Sequence, residues 1–264
     1  MLKKLPFVMV LALLVLTAFS GSMAQAHTSS PNTAHTQQDS DWSLANANNA
    51  FALDLYQVLR TSNDGNLVFS PYSISSAVGM LYVGARGNTQ DEIAATFHFD
   101  DDPAEVSAQF GLLHETIQPN DVNWEEYVPT EMQIANGLWL ADDYTVMANY
   151  VAQVEQDFGA GVRVLDIAAN PEAVREEINN WVSEKTNDRV QDIIPSGMIN
   201  DEIKLILTNA IYFKAGWDYV FKSEHTADGI FTLVDGSETT VSMMQSYNFD
   251  TYYAEMDGYQ VVRM

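Results

Sequence analysis

Residues 203–226, IKLILTNAIYFKAGWDYVFKSEHT, predict the central element of the fold. One face of the stretch carries Ile203, Leu205 and Phe213 among its apolar side chains, and the opposite face carries Ile206 and its apolar neighbours. Because side chains alternate along a strand, a run that is apolar on both faces predicts a strand buried on both sides. Asn209 interrupts this run, and a buried amide costs free energy unless specific partners satisfy it. We therefore expect a central strand with a hydrogen-bond network near its middle.

The first 26 residues have the pattern of a secretory signal peptide. Lys3 and Lys4 precede an apolar run, and Ala24-Gln25-Ala26 then offers small residues for cleavage after Ala26. The apolar run is too short to span a membrane comfortably. We therefore expect a secreted, extracellular protein whose mature chain is soluble and begins at His27.

Composition limits the classes of partner and of chemistry. The chain has 264 residues, no cysteine, 36 acidic and 12 basic residues, and a formal net charge of −24. A disulfide scaffold and thiol chemistry are excluded. Nucleic acid and anionic membranes are poor partners, because both require local positive charge. The acidity has two interpretations that the sequence leaves open: a surface adapted for solubility, for example in high salt, or attraction to a basic partner.

The order of the predicted elements indicates an α+β fold. Residues 27–42 are polar and are expected to form a disordered tail, and the folded domain covers residues 43–264. Helices predominate in the first part of that domain and short strands follow Thr226. A capping box at Thr89–Glu92 is expected to begin one helix, and Leu67–Phe69 is expected to be a short strand. Further helices are expected to begin at Ser70-Pro71 with Ser70 as the cap, at Asp100–Asp102, and at Asn170-Pro171 with Asn170 as the cap. Further strands are expected at Met132–Leu140 and Val162–Ile167.

Enzymatic motifs are missing from the sequence. It contains no Gly-x-Ser-x-Gly nucleophile elbow, P-loop or dinucleotide-binding glycine pattern, and its histidines do not form a metal-binding pair. Neighbouring acids such as Glu176-Glu177 point apart on a helix and are expected to be solvated. We therefore predict a protein that is not an enzyme and that has no catalytic residue, metal or cofactor.

Five segments, in order along the chain, resemble the motifs of the serpin family. The resemblance extends from Ser43 to Met264, and the 203–226 stretch carries its most specific part. The matching segments are Asn66–Ile74 (NLVFSPYSI), Leu81–Thr89 (LYVGARGNT), Ile134–Leu138 (IANGL), Ile178–Thr186 (INNWVSEKT) and Thr208–Thr226.

The resemblance implies a fold, a mechanism and roles for individual residues. Serpins are α+β domains with three sheets and about nine helices, and they trap serine, sometimes cysteine, proteases as suicide substrates by inserting a cleaved reactive loop into the main sheet. The family's shutter, a polar cluster beneath the point where that sheet parts, corresponds here to Ser70, Ser73 and Asn209, and its breach corresponds to Trp217. The remaining motif residues, for which we expect structural roles, are Asn66, Pro71, Asn136, Phe213, Phe221 and Thr226. The expected partner is a target protease bound by a monomer.

The family's hinge, reactive loop and last strands correspond to sequence beyond Met264. We therefore expect an N-terminal part of a serpin domain, incomplete at its C-terminal side, with the reactive site outside this chain. Three functions remain open at this point. The full-length form is a protease inhibitor, or it is a non-inhibitory serpin-like binding or storage protein, or the 264 residues alone are an inactive fragment because they lack the loop.

Overall fold

A computed structural model describes residues 12–17, 43–62, 65–117, 130–217, 221–247 and 251–263. The predicted cleavage site at Ala26 and the predicted 27–42 tail lie outside the described residues, and leader removal stays a prediction. In chain order the elements are β1 (Ala12–Thr17), α1 (Leu44–Ser62), α2 (Pro71–Gly84), α3 (Asn88–Phe97), α4 (Pro103–Ile117), β2 (Glu131–Ala141), α5 (Ala148–Phe158), β3 (Gly161–Leu165), α6 (Pro171–Lys185), β4 (Ile203–Lys214), a 3-10 turn (Ser223–His225), β5 (Ala227–Thr232), β6 (Glu238–Met243), β7 (Tyr253–Met256) and β8 (Tyr259–Val262).

The chain divides into two compact units. Residues 1–120 and 131–213 form the first, which holds the six α-helices and a four-stranded sheet of order β1-β4-β2-β3. Residues 121–130 and 214–264 form the second, which holds two antiparallel hairpins, β5-β6 and β7-β8. Helices with three separate sheets confirm the α+β class.

Strand β4 is buried on both of its faces, as its sequence predicts. Leu205 and Leu207 pack into a core with α1, α2, α4 and α5, whereas Ile206 and Ala210 pack into a second core with α6. The neighbouring strand β2 divides its side chains in the same way, with Leu138 on the α2 side. Helices therefore cover opposite faces of the central pair of strands.

Two residues of β4 depart from the expected alternation. The register with β1 shifts between Leu205 and Ile203, so a β-bulge lies at the start of β4. Ile203 therefore packs with Ile206 in the α6-side core and does not share the face of Leu205. Phe213, at the other end, is 40% exposed because burial of β4 ends at Tyr212.

Helix α2 packs closely because its side chains are small. A Cβ atom added at Gly79 would lie 2.7 Å from Cε2 of Phe110 and 3.1 Å from Cε1 of Phe158. The rings of those two phenylalanines, on α4 and α5 respectively, lie 5.0 Å apart between centroids. The glycine therefore lets these two rings pack against the backbone of α2.

Three local predictions need correction. Thr89 does not begin a helix, because Gly87 adopts a positive φ of 58° and α3 starts one residue earlier, at Asn88, without a side-chain cap. Residues 67–69 form no strand, since no described strand pairs with them. The side chain of Asn170 does not cap α6 and donates to the carboxylate of Asp166 instead.

Strand β1 lies within residues 1–26, the predicted signal peptide. It pairs antiparallel with β4, and Ala12 lies opposite Asn209. In the described part of the chain, β1 is the strand that completes the second edge of β4. None of the helices in that part is long and apolar enough to cross a membrane.

We predict an alkaline loss of stability that depends on two partly buried tyrosines. Burial raises the pKa of Tyr72 and of Tyr150 to about 12 each. An unfolded tyrosine releases its proton near pH 10, so between about pH 10 and 12 the folded chain binds more protons and its free energy of unfolding falls as pH rises. The melting temperature of the Tyr72→Phe/Tyr150→Phe variant should fall less across this window than that of the parent. An equal fall in both proteins would contradict the assignment.

Candidate functional site

A cluster of buried polar side chains joins helix α2 to strands β2 and β4. Its members share almost complete burial, each with at most 2% of its surface exposed, although apolar side chains surround them. This polar cluster consists of Ser70, Ser73, Ser76, Asn136 and Asn209. Hydroxyl and amide groups do not titrate near neutral pH, so the cluster can form and exchange hydrogen bonds but offers no acid or base.

Ser70 caps the start of α2 and is buried there. It occupies the N-cap position in an extended conformation, and its Oγ accepts a hydrogen bond from the backbone N–H of Ser73 at 3.2 Å. Pro71 follows as the first helical residue, where its missing N–H needs no partner. The Ser-Pro step therefore fixes the origin of the helix, and with it the position of the serines that face the sheet.

Asn136 of β2 is the centre of the network. Its Oδ1 accepts hydrogen bonds from Nδ2 of Asn209 at 2.7 Å and from Oγ of Ser76 at 3.3 Å. Its Nδ2 donates to the backbone carbonyl of Phe158 at 2.8 Å. One amide therefore ties β2 to β4, to α2 and to the end of α5. From the sequence we expect only a structural role for Asn136. The signal that could have identified its place in the network is that Asn136, like Asn209, is an amide within an apolar strand.

Two atoms of the polar cluster have unused hydrogen-bonding capacity. Oγ of Ser73 and Oδ1 of Asn209 are buried and have no partner among the described residues. A buried polar atom without a partner costs about 1–3 kcal/mol, so a hydrogen-bond donor that reached either oxygen would stabilise this region. Of the three residues that the resemblance assigns to the shutter, Asn209 bonds to Asn136, which also binds Ser76, whereas Ser70 and Ser73 form a separate hydrogen-bonded pair at the start of α2, and the shutter role stays a prediction.

The opposite face of the same two strands has its own hydrogen bond. Nε1 of Trp139 donates to Oγ1 of Thr208 at 3.0 Å, and both side chains are buried. Gly137 lies directly beside this pair: an added Cβ would be 2.5 Å from Oγ1 of Thr208 and 2.8 Å from Nε1 of Trp139. Glycine is therefore required at position 137 by the close approach of these two groups.

Helix α6 holds the loop that precedes β4. The Asn179 amide forms two hydrogen bonds with the backbone of Ile194, donating to its carbonyl at 3.0 Å and accepting from its N–H at 2.9 Å. Oγ1 of Thr186 accepts from the N–H of Val190 at 3.1 Å. These contacts explain why the sequence keeps an amide and a hydroxyl on a helix that otherwise buries Ile178 and Val182.

Of the remaining predicted site residues, Trp217, Phe221 and Thr226 belong to the second unit and Asn66 belongs to the first. Trp217 is 48% exposed in the second unit, where its ring meets that of Phe221 edge-on at 6.0 Å between centroids. Thr226 follows the 3-10 turn, and its N–H donates to the carbonyl of Ser223. Asn66 is exposed, shortly before α2. The proposed breach role of Trp217 stays a prediction. No group of three or more acidic, histidine or cysteine side chains in the described residues could hold a metal ion.

We predict that removing the central amide costs more stability than removing its partner. Asn136→Ala leaves the carbonyl of Phe158, Oγ of Ser76 and Nδ2 of Asn209 without their bonds, so we expect a loss of about 3 kcal/mol or more. Asn209→Ala breaks one bond and also removes an unsatisfied atom, so we expect about 1–3 kcal/mol. Denaturant unfolding measures both values.

The matched control for these two variants is Asn180→Ala, which removes an exposed amide from α6. Its free energy of unfolding should stay within about 0.5 kcal/mol of the parent value. Equal losses for Asn136→Ala and Asn209→Ala would contradict the central position of Asn136. The double variant should lose less than the sum of the single losses, since the two residues share a bond.

A second prediction concerns Gly137. Gly137→Ala forces apart Thr208 and Trp139, and overpacking of this kind costs about 1–3 kcal/mol. Gly161→Ala is the control, because an added Cβ there meets no atom within 4 Å. Tryptophan fluorescence during denaturant unfolding should report the loss for the first variant, and a neutral Gly137→Ala would show that this close approach is absent in solution.

The amino-acid sequence matches a known protein family over most of its length. The profile of the family described as Serpin (serine protease inhibitor) matches residues 46–264. A Methanosarcina mazei protein described as an uncharacterised serpin-like protein is 32% identical over 255 residues, covering 93% of this chain and 58% of its own. Leukocyte elastase inhibitor A of Mus musculus is 35% identical over 202 residues, covering 76% of this chain and 52% of its own. The chain thus spans about half the length of these curated relatives.

Solved structures give the same result for the fold. Arabidopsis AtSerpin1, in its native stressed conformation, superimposes with a TM-score of 0.73 at 24% identity, over 84% of this chain and 57% of that one. A cleaved Serpin 42Da superimposes with a TM-score of 0.72 at 27% identity, over 81% and 55%. Serpins are generally protease inhibitors and not enzymes. Family profile, relatives and fold agree, and the chain belongs to the serpin family.

Proposed function

We propose that the full-length protein is a secreted inhibitor of serine proteases that acts as a suicide substrate. The protease cleaves an exposed reactive loop, and the loop then enters the main sheet as a new strand while the enzyme remains attached as an ester. The polar cluster is the observation that carries this proposal. Its bonds join two sheet strands to the helix beneath them, and they can break and re-form without leaving a charge in the core.

The main sheet also has an edge that can take a further strand. The edge of β4 away from β2 already pairs with an extended segment, the six residues of β1 in antiparallel register, and a strand that replaced β1 would use the same backbone groups. An inserted strand gains backbone hydrogen bonds along its whole length. Relatives described as leukocyte elastase inhibitors, at 35–36% identity, support protease inhibition as the function of the complete protein.

Two further parts of the proposal rest on the sequence. The leader pattern of residues 1–26 supports export, and cleavage after Ala26 would give a secreted protein whose first residue is His27. Sequencing the N-terminus of the exported protein checks this directly. The inhibitor is proposed to act as a monomer, because one chain supplies both the loop and the sheet.

The test of inhibition is complex formation by the full-length protein. After incubation with a trypsin-like or a subtilisin-like protease, we expect a covalent complex that survives SDS, because the acyl ester is trapped when the loop inserts. A protease whose catalytic serine has been replaced by alanine is the control and should give no complex, since it cannot form the ester. The 264-residue chain should also give none, because its sequence contains no counterpart of the reactive loop.

The non-inhibitory alternative predicts a different result. A binding or storage serpin is cleaved as an ordinary substrate, gives no SDS-stable complex and gains no thermal stability after cleavage. That outcome with proteases of both classes would overturn the proposal for this protein.

A further inference from the structure

A cleft of about 400 Å³ lies between helix α6 and the edge strand β3, away from the polar cluster. Its lining contains an aromatic ring, one guanidinium and several carboxylates, and every lining residue belongs to the first unit. The residues that give the cleft its charge and its aromatic face are Arg163, Glu176, Glu177, Asn180, Trp181 and Glu184. We call this surface the α6–β3 groove.

The groove already holds one cation of the chain itself. The guanidinium carbon of Arg163 lies 5.3 Å from the ring centre of Trp139, and Nη1 of Arg163 lies 3.0 Å from Oε1 of Glu177. Trp181 meets Trp139 edge-on at 5.4 Å between centroids. An indole face with a carboxylate beside it is a favourable environment for a guanidinium or an ammonium group. Arg163 thus demonstrates the chemistry that this surface offers.

The outer part of the groove offers more acceptors than cations. Glu176, Asn180 and Glu184 follow one another at four-residue spacing, so they form a ridge along one side of α6. Within the described residues the side chain of Glu176 has no ion pair or hydrogen bond, and the one ion pair of Glu184 is a long contact of 3.8 Å with Lys185. Two carboxylates of the groove therefore remain without a close cation.

Strand β3 supplies backbone groups beside this ridge. It lies at the end of the strand order, and in the described part of the chain β2 is the strand that pairs with it. No strand among the described residues pairs with the N–H and C=O groups along its other edge, and an added strand can use them. Val164 of β3 is 62% exposed and offers an apolar contact next to them.

We propose that the α6–β3 groove is a docking site for a basic, extended segment of a partner protein. The segment pairs with β3 through its backbone. Because side chains alternate along a strand, basic residues at every second position present their cations to one side, toward Glu176, Glu184 and Trp181. The acidic ridge also repels acidic segments, so it selects among the strands that could add to this edge.

The charge of the whole chain favours the same partner. With 36 acidic and 12 basic residues, the protein attracts basic segments over a distance and raises their rate of association. This site stands on residues other than those of the polar cluster, so it does not depend on the proposed inhibitory function. It gives a specific location to the basic partner that the acidic composition suggested.

A seven-residue peptide of alternating lysine and valine, blocked at both ends, is the probe. We expect it to quench or shift tryptophan fluorescence on binding, with affinity that falls as salt is added. Glu176→Lys/Glu184→Lys should weaken binding at least tenfold. The matched control, Glu105→Lys/Glu155→Lys, makes the same charge change at exposed glutamates of α4 and α5 and should bind as the parent does. All four positions are on the surface, and circular dichroism confirms that each variant folds.

A second probe separates strand pairing from simple charge attraction. Replacing each valine of the peptide by proline keeps the charge but removes backbone N–H donors, and we expect this peptide to bind at least tenfold more weakly. Equal binding of the two peptides would overturn strand addition. It would show that the groove binds cationic peptides through charge attraction alone. Equal losses in the two double variants, or no binding to the parent, would overturn the groove as the docking site.

Discussion

The hydrogen bond between the amides of Asn136 and Asn209 is the interaction on which the rest of the structure depends. Each amide lies in a strand whose neighbours are apolar, and neither could be buried without a partner. The two amides can form this bond only if β2 and β4 are adjacent. The amide oxygen of Asn136 also accepts from a hydroxyl of a helix, so that helix must have small side chains and pack close to the strands. Helix α2 meets that requirement through Ser76 and through Gly79, which lets the aromatic rings of α4 and α5 press against its backbone.

The two faces of the central strands have different chemistry as a result. The α2 side contains a network of small polar groups with unused capacity, which suits a surface that rearranges. The α6 side contains the bond between Trp139 and Thr208, a tightly packed Gly137 and the two-point attachment of Asn179 to the Ile194 backbone. The α6–β3 groove lies on the side where these side chains are satisfied by specific hydrogen bonds.

Local patterns predicted much of this fold, and long-range contacts account for most of what they missed. The apolar runs around Asn136 and Asn209 marked both central strands, and the Ser70-Pro71 step marked the start of α2. Nothing in the spacing of residues could show that Asn136 is the hub, because that role depends on which strand lies next to which. The bulge that turns Ile203 toward α6 and the early start of α3 at Asn88, after Gly87, are features of the backbone, and the periodicity of side chains does not detect them.

The pairing of β1 with β4 makes the first residue of a recombinant form a structural variable. A chain that begins at His27 lacks β1, so the stretch of β4 from Ile203 to Asn209 is then either open to solvent or paired with another segment. Open edges of this kind promote association between molecules. Solubility and melting data from forms with and without residues 1–26 therefore describe two different sheets. The free energy of opening the sheet can be compared only between forms that begin at the same residue.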